Sequence, residues 1–164
     1  MKQVFVIRHA KSDQSFWGND FERPLNERGK SDALLMAKRL KDRQIHIDAW
    51  IASPAKRAKK TAEIFMETFG LETNELIFIS ALYHAPPEVF NDVIRGLPDN
   101  LGTIALFSHN PGISYFVASL VPEVKIDNMP TCGLFAISSE ITRWREFGQS
   151  RKKFLFFDYP KNSV

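Results

Sequence analysis

Through most of the chain, short runs of β-branched and aromatic residues alternate with segments whose apolar residues recur at helical spacing. No other feature constrains the fold as strongly. Strand periods fall at residues 3–8, 46–52, 76–79 and 103–108, and two further β-rich segments follow at 133–137 and 154–157. The first helical stripe, Ala33, Leu34, Met36, Ala37 and Leu40, lies within residues 27–43. A second runs from Ser53-Pro54 through Ala58, Ala62, Ile64, Phe65 and Phe69 to Gly70. Ser53 and Asn110 are expected to cap helices whose first turns hold Pro54 and Pro111, and Gly70 to close the second helix. A third helix is expected over residues 87–97. The charged segment 140–153 reads as an exposed connection. Strands and helices in alternation predict an α/β three-layer sandwich, with a mostly parallel central sheet and helices on both faces. Function is expected at the carboxyl ends of the strands.

Composition narrows the possibilities further. With 164 residues, 44% hydrophobic and 25% charged, the chain suits a single domain over 1–164. Its 14 Phe, 3 Trp and 3 Tyr argue against disorder. A net charge of +3 is far from the basic footprint of a nucleic-acid binder. The one cysteine, Cys132, can form no intramolecular disulfide and supplies no metal-ligand set, so it is expected in the core. Val4-Phe5-Val6-Ile7 is too brief for the apolar core of a signal peptide. No run approaches the roughly 18 apolar residues of a membrane span, and the expectation is a soluble cytoplasmic protein with no membrane partner.

Three strand ends carry the candidate chemistry. Arg8-His9-Ala10-Lys11-Ser12 delivers a cation and an imidazole to the loop after the first strand. Ser53-Pro54-Ala55-Lys56-Arg57-Ala58 sets a guanidinium in a first helical turn, where free N–H groups already favour an anion. Ser108-His109-Asn110-Pro111 supplies a second imidazole at another helix entrance. Each alone fits a solvated surface pair or helix end. Together they suggest a pocket for a phosphoryl group.

These segments, with the Arg23-Pro24-Leu25-Asn26-Glu27-Arg28-Gly29 turn and Thr61-Ala62, resemble the ordered signatures of the histidine phosphatase superfamily (branch 1). Within it they are most similar to the short SixA-type phosphohistidine phosphatases. The resemblance spans residues 4 to about 116 and implies a phosphoglycerate mutase-like fold. It implies His9 as the nucleophile that forms a phosphohistidine intermediate, with Arg8, Arg57 and His109 gripping the phosphoryl oxygens. Arg23 and His84 are further candidates for contact with substrate. No metal or cofactor is required.

Superfamily members that act on alkyl phosphates commonly have an asparagine after the nucleophile and a glutamate acid. Here Ser15 stands near the first position and Leu82-Tyr83-His84-Ala85-Pro86-Pro87-Glu88 spans the region of the second. No acid is therefore assigned, and Glu88 reads as a helix-start carboxylate. The resemblance to the short branch implies a phosphate-bearing protein as substrate, with phosphohistidine preferred. The alternatives are a phosphomonoesterase for a small metabolite and a non-catalytic phosphoprotein-binding module, the last disfavoured because such a module needs no nucleophile. His46 reads as solvated. Phe16, Trp17 and Phe21 read either as a docking rim or as packing of the loop on the sheet.

Overall fold

The computed structural model describes residues 1–162. Its strands are β1 (Lys2–Arg8), β2 (Ala49–Ala52), β3 (Ile77–Phe78), β4 (Thr103–Ser108), β5 (Leu134–Ser139) and β6 (Lys152–Asp158). The helices are α1 (Glu27–Asp42), α2 (Lys56–Thr68), α3 (Pro87–Arg95) and α4 (Gly112–Leu120). One six-stranded sheet has the order β3-β2-β4-β1-β5-β6. β3, β2, β4 and β1 run parallel, whereas β5 is antiparallel to both β1 and β6. The mostly parallel α/β sheet is thus as the alternation predicted.

Alternation along the central strands builds two cores, one on each face. Val4 and Val6 of β1 join Ile104 and Leu106 of β4 against Phe90 of α3 and Phe116 of α4. Phe5 and Ile7 point the other way, with Ala105 and Phe107, against Met36 and Leu40 of α1 and Phe65 of α2. Phe5 and Ile7 are fully buried, and each such side chain contributes about 1.5–3 kcal/mol relative to exposure.

Several boundaries and caps differ from expectation. β2 starts at Ala49 and not at residue 46, because the Asp48 carboxylate accepts the backbone N–H groups of Gly102 and Thr103. Ala55, not Ser53, precedes α2, and Pro111, not Asn110, precedes α4. The Ser53 and Asn110 side chains are drawn into tertiary hydrogen bonds. β3 is only two residues long, with both side chains exposed at the sheet edge. Leu34 lies outside the core, 43% exposed. Segment 140–153 is more than an exposed connection: its 3₁₀ turn Trp144–Gln149 sinks Trp144 and Phe147 fully into the α3–α4 core. Gly70 does close α2, at φ +76. Among the described residues no helix is long and apolar enough to cross a membrane.

Candidate active site

Register decides which residues meet. The parallel pairing of β1 with β4 sets Arg8 opposite Ser108, so the next residues, His9 and His109, emerge side by side at the carboxyl edge. Their ring centroids lie 5.2 Å apart. On the far side of β4, Ala52 pairs with Phe107, which brings Ser53 to the same level. The His9 backbone is tied on both sides, its N–H donating to Ser108 and its carbonyl accepting from Cys132. The next N–H, of Ala10, donates to Thr61 Oγ1 on α2.

The chemistry of His9 follows from these constraints. Its Nδ1 lies 2.7 Å from the Ala10 carbonyl, which can only accept, so Nδ1 carries the proton and Nε2 keeps its lone pair. Burial lowers the pKa of the ring to about 3; the Ala10 hydrogen bond opposes this, and Arg8, Arg57 and Arg23 add to it. His9 is a neutral imidazole at physiological pH. The His109 pKa is also well below the ordinary histidine value, through burial first and then His9 and Arg57. His109 Nε2 sits 2.7 Å from Ser53 Oγ, which also accepts the Ala55 N–H and can either donate its own proton to Nε2 or accept from it. When Ser53 donates to Nε2, the ring proton of His109 sits on Nδ1, which among the described residues is buried without a partner, as are Nε of Arg8 and Nε of Arg57.

Around the two rings stand three guanidinium groups. Arg8 is anchored by a 2.9 Å hydrogen bond to the Met129 carbonyl. Arg23 donates to Ser12 Oγ and to Asp20 Oδ1. Arg57 is not the free helix-start cation of the sequence reading: its two terminal nitrogens are held by the Asp20 carbonyl and carboxylate, at 2.8 and 3.0 Å. Asp20, in the 3₁₀ turn Asp20–Glu22, also accepts from the Tyr83 hydroxyl at 2.7 Å and faces His84 Nε2 at 3.4 Å. Burial would raise its pKa, yet the hydrogen bonds from Tyr83, Arg23 and Arg57 win and hold the carboxyl well below the ordinary range.

The structure therefore brings together His9, Arg8, Arg57, His109, Arg23 and His84. His84 arrives through a left-handed backbone at φ 55, which lays its ring against Tyr83 at 4.0 Å and 6.0 Å from His109. Gly112 makes that placement possible, since a Cβ there would come within 1.7 Å of the Ala85 carbonyl. Ser15 turns away to bond Asp13, and Glu88 lies in the first turn of α3. Cys132 is buried, and burial pushes its thiol pKa up. Phe21 packs edge-on against Tyr83, whereas Trp17 is 95% exposed.

Sequence reasoning missed Asp20, Tyr83 and Ser53. Asp20 is one of several polar residues in a long loop, and its one local signal is the turn that Asn19 caps through the Phe21 N–H. Among the described residues no group of three or more His, Cys, Asp or Glu side chains is arranged to hold a metal ion.

Planar cationic forks and imidazole N–H donors converging where a parallel sheet ends suit one kind of ligand, a tetrahedral oxyanion such as a phosphoryl group. Comparison with known proteins agrees. The sequence profile of the histidine phosphatase superfamily (branch 1) matches residues 4–77. Phosphohistidine phosphatase SixA of Escherichia coli (strain K12) is 26% identical over 121 residues, 73% of this chain and 74% of that protein. The structure of the protein histidine phosphatase SixA complexed with tungstate superposes with a TM-score of 0.82 at 22% identity. That match covers 96% of this chain and 97% of the other. A mycobacterial glucosyl-3-phosphoglycerate phosphatase shares the fold at a TM-score of 0.65 and 15% identity, over 97% and 98% of the two chains. Over residues 4–77 the chain is thus similar to the histidine phosphatase superfamily (branch 1), and over most of its length it resembles SixA in sequence and shares its fold.

Proposed function

We propose that this protein is a metal-independent phosphatase that removes the phosphoryl group of phosphohistidine from a protein, through a covalent intermediate on His9. The observation that carries the reading is the fixed tautomer: a buried, neutral ring whose Nδ1–H is spent on the Ala10 carbonyl has only Nε2 left to attack phosphorus. Arg8, Arg57, Arg23 and the Nδ1–H of His109 supply donors for the three phosphoryl oxygens, which supports turnover without a metal ion.

In the first step the His9 Nε2–P bond forms as the bond from phosphorus to the substrate nitrogen breaks. The electron pair of the broken bond stays on the departing imidazole, which already carries a proton on its other nitrogen and leaves neutral. In the second step water attacks the phosphohistidine, its proton goes to the released phosphate, and His9 returns to its starting form. The similarity to the Escherichia coli enzyme, and a site with no carboxylic acid free to protonate an alkoxide, favour phosphohistidine over alkyl phosphates. The lone, buried thiol of Cys132 fits a reducing compartment such as the cytoplasm.

A second reading, a phosphomonoesterase for a small metabolite, draws on the fold shared with the glucosyl-3-phosphoglycerate phosphatase, a more distant likeness than that to SixA. Substituting His9 tests the mechanism common to both. His9→Ala is expected to fold and to lose at least about 10³-fold in kcat. Rapidly quenched wild-type enzyme is expected to carry acid-labile phosphate on His9. Phosphate trapped on another residue, or full activity in the variant, overturns the mechanism. Comparing kcat/KM for a phosphohistidine peptide and a phosphoserine peptide separates the two readings.

A further inference from the structure

Depth orders the pocket. His9, His109 and Arg57 form its floor at 6%, 2% and 3% exposure, whereas the side chains of Asp20 and His84 stand at its mouth, 44% and 57% exposed. A group leaving in line from a phosphorus attacked by His9 departs away from that floor, toward the mouth. There it meets Asp20 and the tilted pair of Tyr83 and His84 rings. Asp20 is an unusual anion to find beside a phosphoryl pocket. Its charge offsets one of three nearby arginines, and Arg8, Arg23 and Arg57 together with Asp20 sum to +2, which matches a phosphoryl dianion. Oδ2 is crowded by Arg57, Tyr83 and His84, but among the described residues Oδ1 accepts only from Arg23. A carboxylate oxygen has room for a second donor.

We propose that Asp20 determines leaving-group specificity, its Oδ1 accepting a hydrogen bond from the N–H on the far nitrogen of the departing imidazole. The inference rests on the phosphohistidine reading and deepens it. A phosphorylated imidazole leaves as a neutral ring only while that far nitrogen is protonated, so an anion placed there stabilises the reactive form of the substrate. Phosphoryl transfer then runs between two rings held in the same way, the far N–H of His9 on the Ala10 carbonyl and that of the substrate on Asp20. A simple aryl phosphate such as p-nitrophenyl phosphate has no N–H or O–H donor on its leaving group and gains nothing from the carboxylate.

The experiment compares kcat/KM for a phosphohistidine peptide and for p-nitrophenyl phosphate in wild type and Asp20→Asn, a variant that keeps one acceptor oxygen for the arginines. The ratio of the two is expected to fall about tenfold or more in the variant. In wild-type protein, a phosphohistidine peptide methylated on the far nitrogen, permanently cationic but without the N–H, is expected to show about the same factor less acceleration over its own uncatalysed hydrolysis than the unmethylated, protonated peptide does, a readout that holds even if the variant fails to fold. An unchanged ratio in a folded variant, with both substrates slowed alike, reduces Asp20 to a positioning residue for Arg57 and overturns the proposal while leaving the phosphohistidine reading intact. A wild-type enzyme that shows no preference for the phosphohistidine peptide, or none for its far N–H, overturns the proposal too; only the former also removes the reading beneath it.

Discussion

The floor and the mouth of the pocket are built by different means. His9, His109 and Ser53 leave the ends of three adjacent parallel strands, and their positions follow from sheet register and from backbone hydrogen bonds at 3.0–3.1 Å. Asp20, Arg23, Tyr83 and His84 come from two separate loops and are held by one another, through side-chain hydrogen bonds around a single carboxylate. The floor is buried and its imidazoles are forced neutral. The mouth is half exposed and its carboxylate is forced anionic. A rigid, dry floor suits phosphoryl chemistry, which needs fixed donors, whereas an exposed rim suits selection of what carries the phosphate.

Substitutions can break that division. Below the loss expected for His9→Ala, Arg57→Lys is expected to lower kcat/KM by about 10²–10³ although charge is kept, because an ammonium cannot serve Asp20 and the phosphoryl oxygens with one planar fork. Steady-state kinetics on an aryl phosphate measure this, and wild-type kinetics in the lysine variant would remove Arg57 from the floor. Gly112→Ala tests whether the mouth depends on the helix packed behind it. The clash with the Ala85 carbonyl should shift the loop that carries His84, costing about 1–3 kcal/mol of stability in denaturant unfolding. An unchanged midpoint would mean that α4 absorbs the methyl group by sliding.

The two floor histidines also predict a pH effect on stability. Both have pKa values depressed in the folded state, so from about pH 6.5 downward the unfolded chain binds protons that the folded chain refuses. Stability should therefore fall on acidification toward the folded-state value of about 3 for His9, by up to about 1.4 kcal/mol per pH unit for each ring. Thermal unfolding between pH 7 and pH 4 tests this, and His109→Gln should flatten the slope. Through the same range, NMR should show no titration of the His9 ring. The smallest effect belongs to Trp17: at 95% exposure, Trp17→Ala should change stability by no more than about 0.5 kcal/mol. A larger change in the unfolding midpoint would mean that the loop packs more tightly than its exposure indicates.

Much of the floor was legible without coordinates. Arg8-His9 and Ser108-His109 each close an unbroken apolar run, and a strand that ends in a histidine on a ligand loop announces itself through its own neighbours. His84 was legible only as a candidate, since its left-handed backbone has no marker in Tyr83-His84-Ala85. Trp144 and Phe147 were hidden by the charges around them, Arg143, Arg145 and Glu146, although one turn of 3₁₀ helix suffices to bury two aromatic rings.

What the sequence by itself determined was the alternation of strand and helix, the two-faced apolar pattern of β1 and β4, and hence the edge at which His9 and His109 appear. These depend on residues close together in the chain, where periodicity and sterics act directly. Only the tertiary structure decided that Ser53 orients His109 in place of capping α2, and that Arg57 is already engaged. It alone placed Asp20 at the centre of the mouth. Those pairings join residues 37 to 63 positions apart, and hydrogen bonds over such separations are set by how the loops pack, which no local pattern records.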